Sequence, residues 1–232
     1  MAGSVISYFG MCQLEQASLQ RGMNYRLHSQ HSIVLMSLRE DAPYADRVED
    51  DGQVLIYEGH DAPKERGRPD PKSVDQPMRL PSGKPTENGK FFQAAKRYRE
   101  RGGPPDLVKV YEKIRKGIWA DNGYFHLVDA WFESDGNRQV CKFKLVAVDG
   151  DVPADWAEDK DSSERQRSRI IPSSVKLEVW RRDQGKCTLC GATDELHFDH
   201  VLPYSKGGTS LTAENVQLLC ARHNLAKHDK IE

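Results

Sequence analysis

The sequence predicts an α+β chain of two unequal parts. The N-terminal part is a strand-rich small barrel or curved sheet with flanking helices, and the C-terminal part is a small module stapled by metal. Three observations carry this. Short apolar, β-branched runs recur through the first 150 residues. A charged stretch without apolar periodicity, DGDVPADWAEDKDSSERQRSRIIP, then breaks the pattern. Beyond it, two pairs of soft metal ligands stand near the C-terminus, Cys187-x-x-Cys190 and Cys220-x-x-His223. The expected boundaries are 1–150, a linker over 151–172, and a module over 173–232.

Taken in order, SIVLMS at 32–37 and QVLIY at 53–57 read as strands, with turn-rich DAPYADRVEDDG between them. Residues 59–90 hold much of the proline and glycine and read as one long irregular segment, a kind that is usually functional or disordered. FFQAAKRYRER reads as a short helix stopped by Gly102 and Gly103. LVKVYEKI, YFHLVDAWFE and QVCKFKLVAV read as three strands. After the charged stretch, SSVKLEVWRRDQ reads as a helix with Ser173 or Ser174 as N-cap and Gly185 as its stop. LHFDHV reads as a strand ended by Pro203 and Gly207-Gly208, and QLLCARHNLAKHDK as a helix.

Composition excludes several classes. A chain of 232 residues with 38% hydrophobic and 30% charged residues can bury a core beneath a polar surface. The net charge of −1 means that any polyanion must be met by local clusters. No apolar run reaches the roughly 18 residues of a membrane span, so no membrane partner is expected. MAGSVISYFGMCQ lacks the basic start and long apolar core of a signal peptide. Of five cysteines, three cluster near the C-terminus while Cys12 and Cys141 lie apart, which suggests a metal site in a reducing, cytoplasmic compartment.

Three thiolates and an imidazole suit tetrahedral zinc, and a closed set of four ligands marks a structural site. A module of this size has too little core to be secure alone, so a metal staple is physically sensible. Between the two pairs lies Asp199-His200 on a strand, and after them Asn224. Neighbours on a helix diverge by about 100°, so Asn224 faces elsewhere when His223 faces zinc.

The string CTLCG…HFDHVLPYSKGG…ENVQLLCARHNLAKHD resembles the zinc-containing HNH, or ββα-metal, nucleases across the whole module. The resemblance implies that His200 is the general base, that Asp199 and Asn224 hold a catalytic Mg²⁺ or Mn²⁺, and that Asn215 holds the loop and the base strand. Neutral imidazole can take a proton from water at cellular pH, and a hard divalent ion wants oxygen ligands.

The order VLIYEGHDA, SVDQPMRLPSGKPTENGKFFQAA, VKVYEKIRKG, YFHLVDAWFE, VCKFKL resembles the SRA (SET- and RING-associated) domain over roughly residues 30–148. That family has a curved β barrel that flips 5-methylcytosine out of duplex DNA, and flipping needs aromatic faces and base-edge hydrogen bonds. The resemblance places Tyr44 and Tyr57 around the base and Asp46 at the cytosine amino group. Glu58 stands where many relatives have a small hydroxyl residue, which bears on methyl against hydroxymethyl. Lys64, Arg66 and Arg68 lie in the long segment, and Arg97, Arg99, Lys113 and Arg115 in a cluster with eight Lys/Arg against three Asp/Glu over residues 94–117, a balance that favours phosphate. A solvated charged face is the competing reading of these runs, and ordinary core packing that of Tyr44 and Tyr57.

Together these features predict a modification-dependent DNA restriction endonuclease acting on double-stranded DNA with modified cytosine. One HNH site cuts one strand, so a homodimer is expected for double-strand cleavage. The alternatives are a nuclease indifferent to modification and a non-catalytic DNA reader.

Overall fold

A computed structural model of the chain describes residues 3–27, 31–148, 171–202 and 206–227. The proposed linker lies almost wholly outside these residues. The N-terminal sheet runs in the order β2 (Met23–Asn24), β3 (Ser32–Met36), β6 (Asp106–Arg115), β7 (Ile118–Ser134), β8 (Gln139–Ala147), β5 (Val54–Glu58), β4 (Arg47–Glu49), with β1 (Val5–Ile6) paired to β7 off that path. β3 and β6 are parallel and the other pairs antiparallel. The strands expected from the sequence are present, but β2 and β4 are edges, so the sheet is not closed into the expected barrel. One short helix and strands of two or three residues leave no periodic signal. This is why α1 (Tyr8–Leu14), β1, β2 and β4 escape a reading of pattern.

α2 (Glu87–Arg101) begins one turn earlier than the apolar run suggests. Thr86 caps it, its hydroxyl accepting from Gly89 N at 3.1 Å. Phe91, Ala94 and Ala95, spaced by three and four, are laid on the sheet against Tyr57, Val108, Phe125 and Phe143. Gly89 is required there, since a Cβ would lie 2.2 Å from Met78 O.

The long segment after β5 is fastened to β8 by backbone bonds at Gly59 and Gln76, and beyond these by side chains. Gln76 Nε2 donates to Gly59 O at 2.7 Å while its Oε1 accepts from Cys141 N at 2.8 Å. Asp75 Oδ1 accepts from Gln139 N at 2.7 Å. Asn88 bridges both backbone groups of His60, accepting from N and donating to O, each at 2.8 Å. Gly59 sits among these groups, and a Cβ would come 2.7 Å from Asn88 Oδ1. The Asp-Gln pair and the Asn of the sequence motif therefore satisfy backbone that has no strand partner.

In the C-terminal part α3 (Ser173–Arg182) starts at Ser173, with Pro172 in the cap position. Neither serine caps the helix as the sequence suggests, because Ser173 donates its hydroxyl to Glu112. Gln184 and Gly185, at φ of 56° and 64°, turn the chain away, and Gly185 packs so closely on Trp180 that a Cβ would lie 2.7 Å from its ring. β9 (Leu196–His200) and β10 (Val216–Cys220) form a two-stranded antiparallel sheet, followed by α4 (Ala221–Lys227). The expected helix over QLLCARHNLAKHDK is thus a strand through Cys220 and a helix only after it. Val216, Leu218, Leu219 and Cys220 are all buried, a run that a strand against α3 can hide and an isolated helix face cannot. No helix among the described residues is long and apolar enough to cross a membrane.

Candidate functional site

The four soft ligands converge. Cys187 and Cys190 lie in the turn after α3, Cys220 ends β10, and His223 stands in the first turn of α4. Their ligand atoms all lie within 4.8 Å of one another. Cys190 Sγ is 3.8 Å from Cys220 Sγ, and His223 Nδ1 is 3.4 Å from both Cys187 Sγ and Cys220 Sγ. A tetrahedron with metal–sulfur bonds of about 2.3 Å has thiolate edges of about 3.8 Å, so the cluster has the size zinc requires. Burial works against ionising Cys187, but the backbone N–H groups of Cys220, Cys190 and Leu189, helped by His223, outweigh it and bring the thiol down to about 6. Cys187 thus favours thiolate, the form that binds metal, whereas its thiol neighbours Cys187 and Cys220 hold the Cys190 thiol up.

Beside it, β9 ends in Asp199 and His200. His200 Nε2 is 2.8 Å from Ser210 Oγ. Asn215 pins the segment that carries Ser210: Nδ2 donates to Leu202 O at 3.0 Å and to Thr209 O at 2.9 Å, and Oδ1 accepts from Leu202 N at 2.8 Å. Its backbone carbonyl also accepts from Val201 N at 2.8 Å. Gly208 passes so near that a Cβ would overlap Leu202 O. Lys227, 2% exposed, donates its ammonium to Asp199 Oδ2 and to His200 O. Asn224 is half-buried one turn before Lys227 on α4. Lys227, buried at the end of α4, is the α4 side chain that hydrogen-bonds Asp199 among the described residues.

Residues 187–230 match the family described as HNH endonuclease. The C-terminal module is an HNH module. No curated protein matches the chain.

Away from the HNH module, a pocket of about 390 Å³ opens at the turn between β3 and β4. Tyr44, Asp46 and Glu58 line it together with Arg39, Lys72 and Arg138. Tyr44 stacks on His60, ring centroids 4.8 Å apart and 7° from parallel, and Lys72 Nζ sits 4.4 Å from the Tyr44 centroid. Tyr57 is not part of the lining. Its ring is 1% exposed in the core, and its hydroxyl donates toward Gly22 O at 3.1 Å and meets His60 Nε2 at 3.0 Å. Asp46 accepts from the backbone of Glu58 at 2.9 Å and Ser37 at 3.2 Å, so both oxygens already hold the loop. Burial pushes its carboxyl up to about 7, against those hydrogen bonds. Glu58, 4% exposed, pairs with Lys142 Nζ at 2.8 Å. Burial holds His60 down to about 4, so it is a neutral partner to Tyr44. The sequence did not single out His60; its place directly after the strand-ending Gly59 was the available signal.

The basic candidates separate. Lys64, Arg66 and Arg68 are exposed in the long segment, with Arg68 2.9 Å from Glu65. Arg97 pairs with Asp106 at 2.7 Å and Arg99 with Asp129 at 2.8 Å, so each is partly neutralised. Lys113 lies over the Trp119 ring at 6.0 Å, and Arg115 is exposed at the end of β6.

Solved structures similar to this chain include a complex of the SUVH5 SRA domain with hemimethylated CG DNA, at 22% identity and a TM-score of 0.43, covering 64% of this chain and 89% of that one. A second is the same domain bound to fully hydroxymethylated CG DNA, at 20% identity and a TM-score of 0.44, covering 63% and 87%. A third is KRYPTONITE with mCHH DNA, a histone peptide and SAH, at 16% identity and a TM-score of 0.43, covering 69% of this chain and 34% of that one.

Proposed function

We propose that the chain is a modification-dependent DNA endonuclease. Its HNH module hydrolyses a phosphodiester near a 5-methyl- or 5-hydroxymethylcytosine that is flipped into the pocket bordered by Tyr44, Asp46 and Glu58. The observation that carries the hydrolytic half is the end of β9, where His200 is held by Ser210, Asp199 meets a cation, and Asn215 clamps the loop between them. The pocket and the SRA-like motif order support the reading half.

Zinc fits the Cys187, Cys190, Cys220 and His223 set by both donor type and spacing. Asp199 and Asn224 offer oxygen donors suited to Mg²⁺ or Mn²⁺, and the carboxylate already draws the Lys227 ammonium. When bound, that ion neutralises charge on the scissile phosphate. The protein's own work is done by His200, which as neutral imidazole accepts the proton of the attacking water. Asn215 and Ser210 keep that imidazole in place. In the pocket, Tyr44 offers a face for stacking; with both Asp46 oxygens holding the loop, Glu58 Oε1, the oxygen not taken by Lys142 and Ala45, replaces Asp46 as the acceptor for the cytosine amino group. Arg66, Lys64 and Arg115 supply phosphate contacts. With one HNH centre per chain, cutting both strands takes two chains, and a homodimer serves this.

Matched plasmids, methylated and unmethylated, incubated with the protein and Mg²⁺ test the reading. Preferential cutting of the methylated plasmid is expected, and His200→Ala should abolish cutting while DNA binding persists. Equal cutting of both plasmids removes the reading half, and cleavage by His200→Ala removes the mechanism.

A further inference from the structure

The HNH module is fastened to the N-terminal sheet in three chemically distinct ways. The first is a shared ladder. Gly3, Ser4 and β1 run between β7 on one edge and β9 on the other. Gly3 N donates to Asp121 O at 2.7 Å, Asp121 N to Ser4 O at 2.8 Å, and Phe198 N to Gly3 O at 2.9 Å. Val5 stands opposite Ala120 and Ile6 opposite Trp119, while Ser4 bridges His197. Phe198 immediately precedes Asp199, so the strand that carries the nuclease pair belongs to the same hydrogen-bonded array as the sheet. Gly3 is at φ +84°, and a Cβ there would lie 2.8 Å from Phe198 O. Few other residues fit so close an approach.

The second is a common apolar core. Ile114 and Ala120 from the sheet pack in one cluster with Val175, Val179, Leu196 and Phe198. The third is a buried polar knot. Lys176 Nζ donates to Glu112 Oε2 at 2.5 Å and to Asn122 Oδ1 at 2.8 Å, Asn122 Nδ2 donates to Glu112 Oε2 at 3.0 Å, and Ser173 donates to the other Glu112 oxygen. Glu112 is 0% exposed and Lys176 1%. An ion pair so deep tolerates few alternative arrangements, because a shift strands a charge without solvent.

We propose that this junction fixes where the chain cuts. The offset between the recognised base and the cleaved phosphodiester is set by the contact between the two parts, not by the length of chain joining them. Gly3, Ser4, Glu112, Asn122, Ser173 and Lys176 are its positioning residues. The proposal rests on the reading given above. A nuclease on a free tether samples every phosphate within its reach and scatters its cuts. A nuclease held by ladder, core and ion pair meets one phosphate at a fixed offset.

The test uses the full chain with Mg²⁺ and duplexes carrying a single 5-methylcytosine or 5-hydroxymethylcytosine, with cuts mapped to the nucleotide. One dominant position is expected, and it should stay in place when a flexible Gly/Ser insertion of about ten residues follows Asp161. Gly3→Val and Lys176→Met should each spread the products several-fold more widely around that position. Amide exchange reads the junction without activity. In Gly3→Val the amides of Phe198 and Asp121 should exchange faster, while that of Val110 stays protected and shows the sheet intact. Cleavage that depends on modification but shifts or scatters with the insertion overturns the inference alone. So does a cut pattern unchanged in both variants. Equal cutting of modified and unmodified duplex overturns the underlying reading and the inference with it.

Discussion

Ser210 Oγ stands 2.8 Å from His200 Nε2, on a segment that Asn215 anchors through Thr209. Ser210 is 3% exposed, so this hydroxyl has little water to compete for it. It fixes the ring plane of the imidazole that, in the proposed function, takes the proton. General bases contribute about 10²- to 10⁴-fold, and a misplaced one loses a large part of that. Ser210→Ala should lower kcat about tenfold or more with little change in KM for DNA, and Ser210→Thr should restore it. A pH–rate profile unchanged by Ser210→Ala would remove the positioning role.

Asn215 contributes three side-chain hydrogen bonds to the loop beside His200. At about 1 kcal/mol each, their loss in Asn215→Ala should cost roughly 2–4 kcal/mol. Denaturant melts of the full chain would measure it, and activity should fall further than stability. A variant as stable as the parent would show that the loop holds itself.

The Cys187, Cys190, Cys220 and His223 cluster predicts one zinc per chain. Cys190→Ser should lower the bound zinc measured by mass spectrometry under native conditions and lower the melting temperature. After a strong chelator, Mg²⁺ alone should not restore cleavage, whereas zinc followed by Mg²⁺ should. Recovery with Mg²⁺ alone would argue that the cluster does not need metal.

The soft-ligand cluster was legible because its members sit in short local motifs whose spacing carries the information. The strand-to-helix switch at Cys220 was less so, since the i, i+3 spacing of Cys220 and His223 suits a helix and is met here by a strand end and the turn after it. The junction through Gly3 and Ser4 was invisible. A two-residue strand has no period, and its partners Ala120 and Phe198 lie far along the chain. Tyr57 misled for another reason. All five residues of β5 are buried, so alternation cannot say which face turns to the pocket.

Asp46 makes stability depend on pH in a defined direction. Its folded carboxyl lies at about 7, raised by burial, against about 3.9 in an unfolded chain. The folded state therefore holds a proton that the unfolded state has lost. This contribution is fully present below about pH 4 and disappears as pH rises through 7. His60, held at about 4 by burial, works oppositely: its contribution is present above its unfolded value and is lost on acidification. The difference between the parent and Asp46→Asn isolates the carboxyl. The two should be of similar stability near pH 4, and the variant should gain on the parent by up to about 4 kcal/mol by pH 8. A gap that is constant across this range would place the Asp46 carboxyl near its ordinary value.

Tyr44 and Tyr57 should separate in function. Tyr44 lines the pocket and stacks on His60, whereas Tyr57 is sealed in the core with its hydroxyl on Gly22 O and His60 Nε2. Base-on-aromatic stacking is worth about 1–3 kcal/mol, so Tyr44→Ala should weaken binding to a modified duplex about 10- to 100-fold with little change in melting temperature. Tyr57→Phe keeps the ring and removes the hydroxyl, leaving Gly22 O and His60 short of a partner. It should lose roughly 1–3 kcal/mol of stability while the preference for modified over unmodified DNA persists. Parallel melts and competition binding with matched duplexes give both readouts. If Tyr57→Phe instead abolished the preference at full stability, the base would have to sit against Tyr57, and the pocket beside Tyr44 would be the wrong cavity.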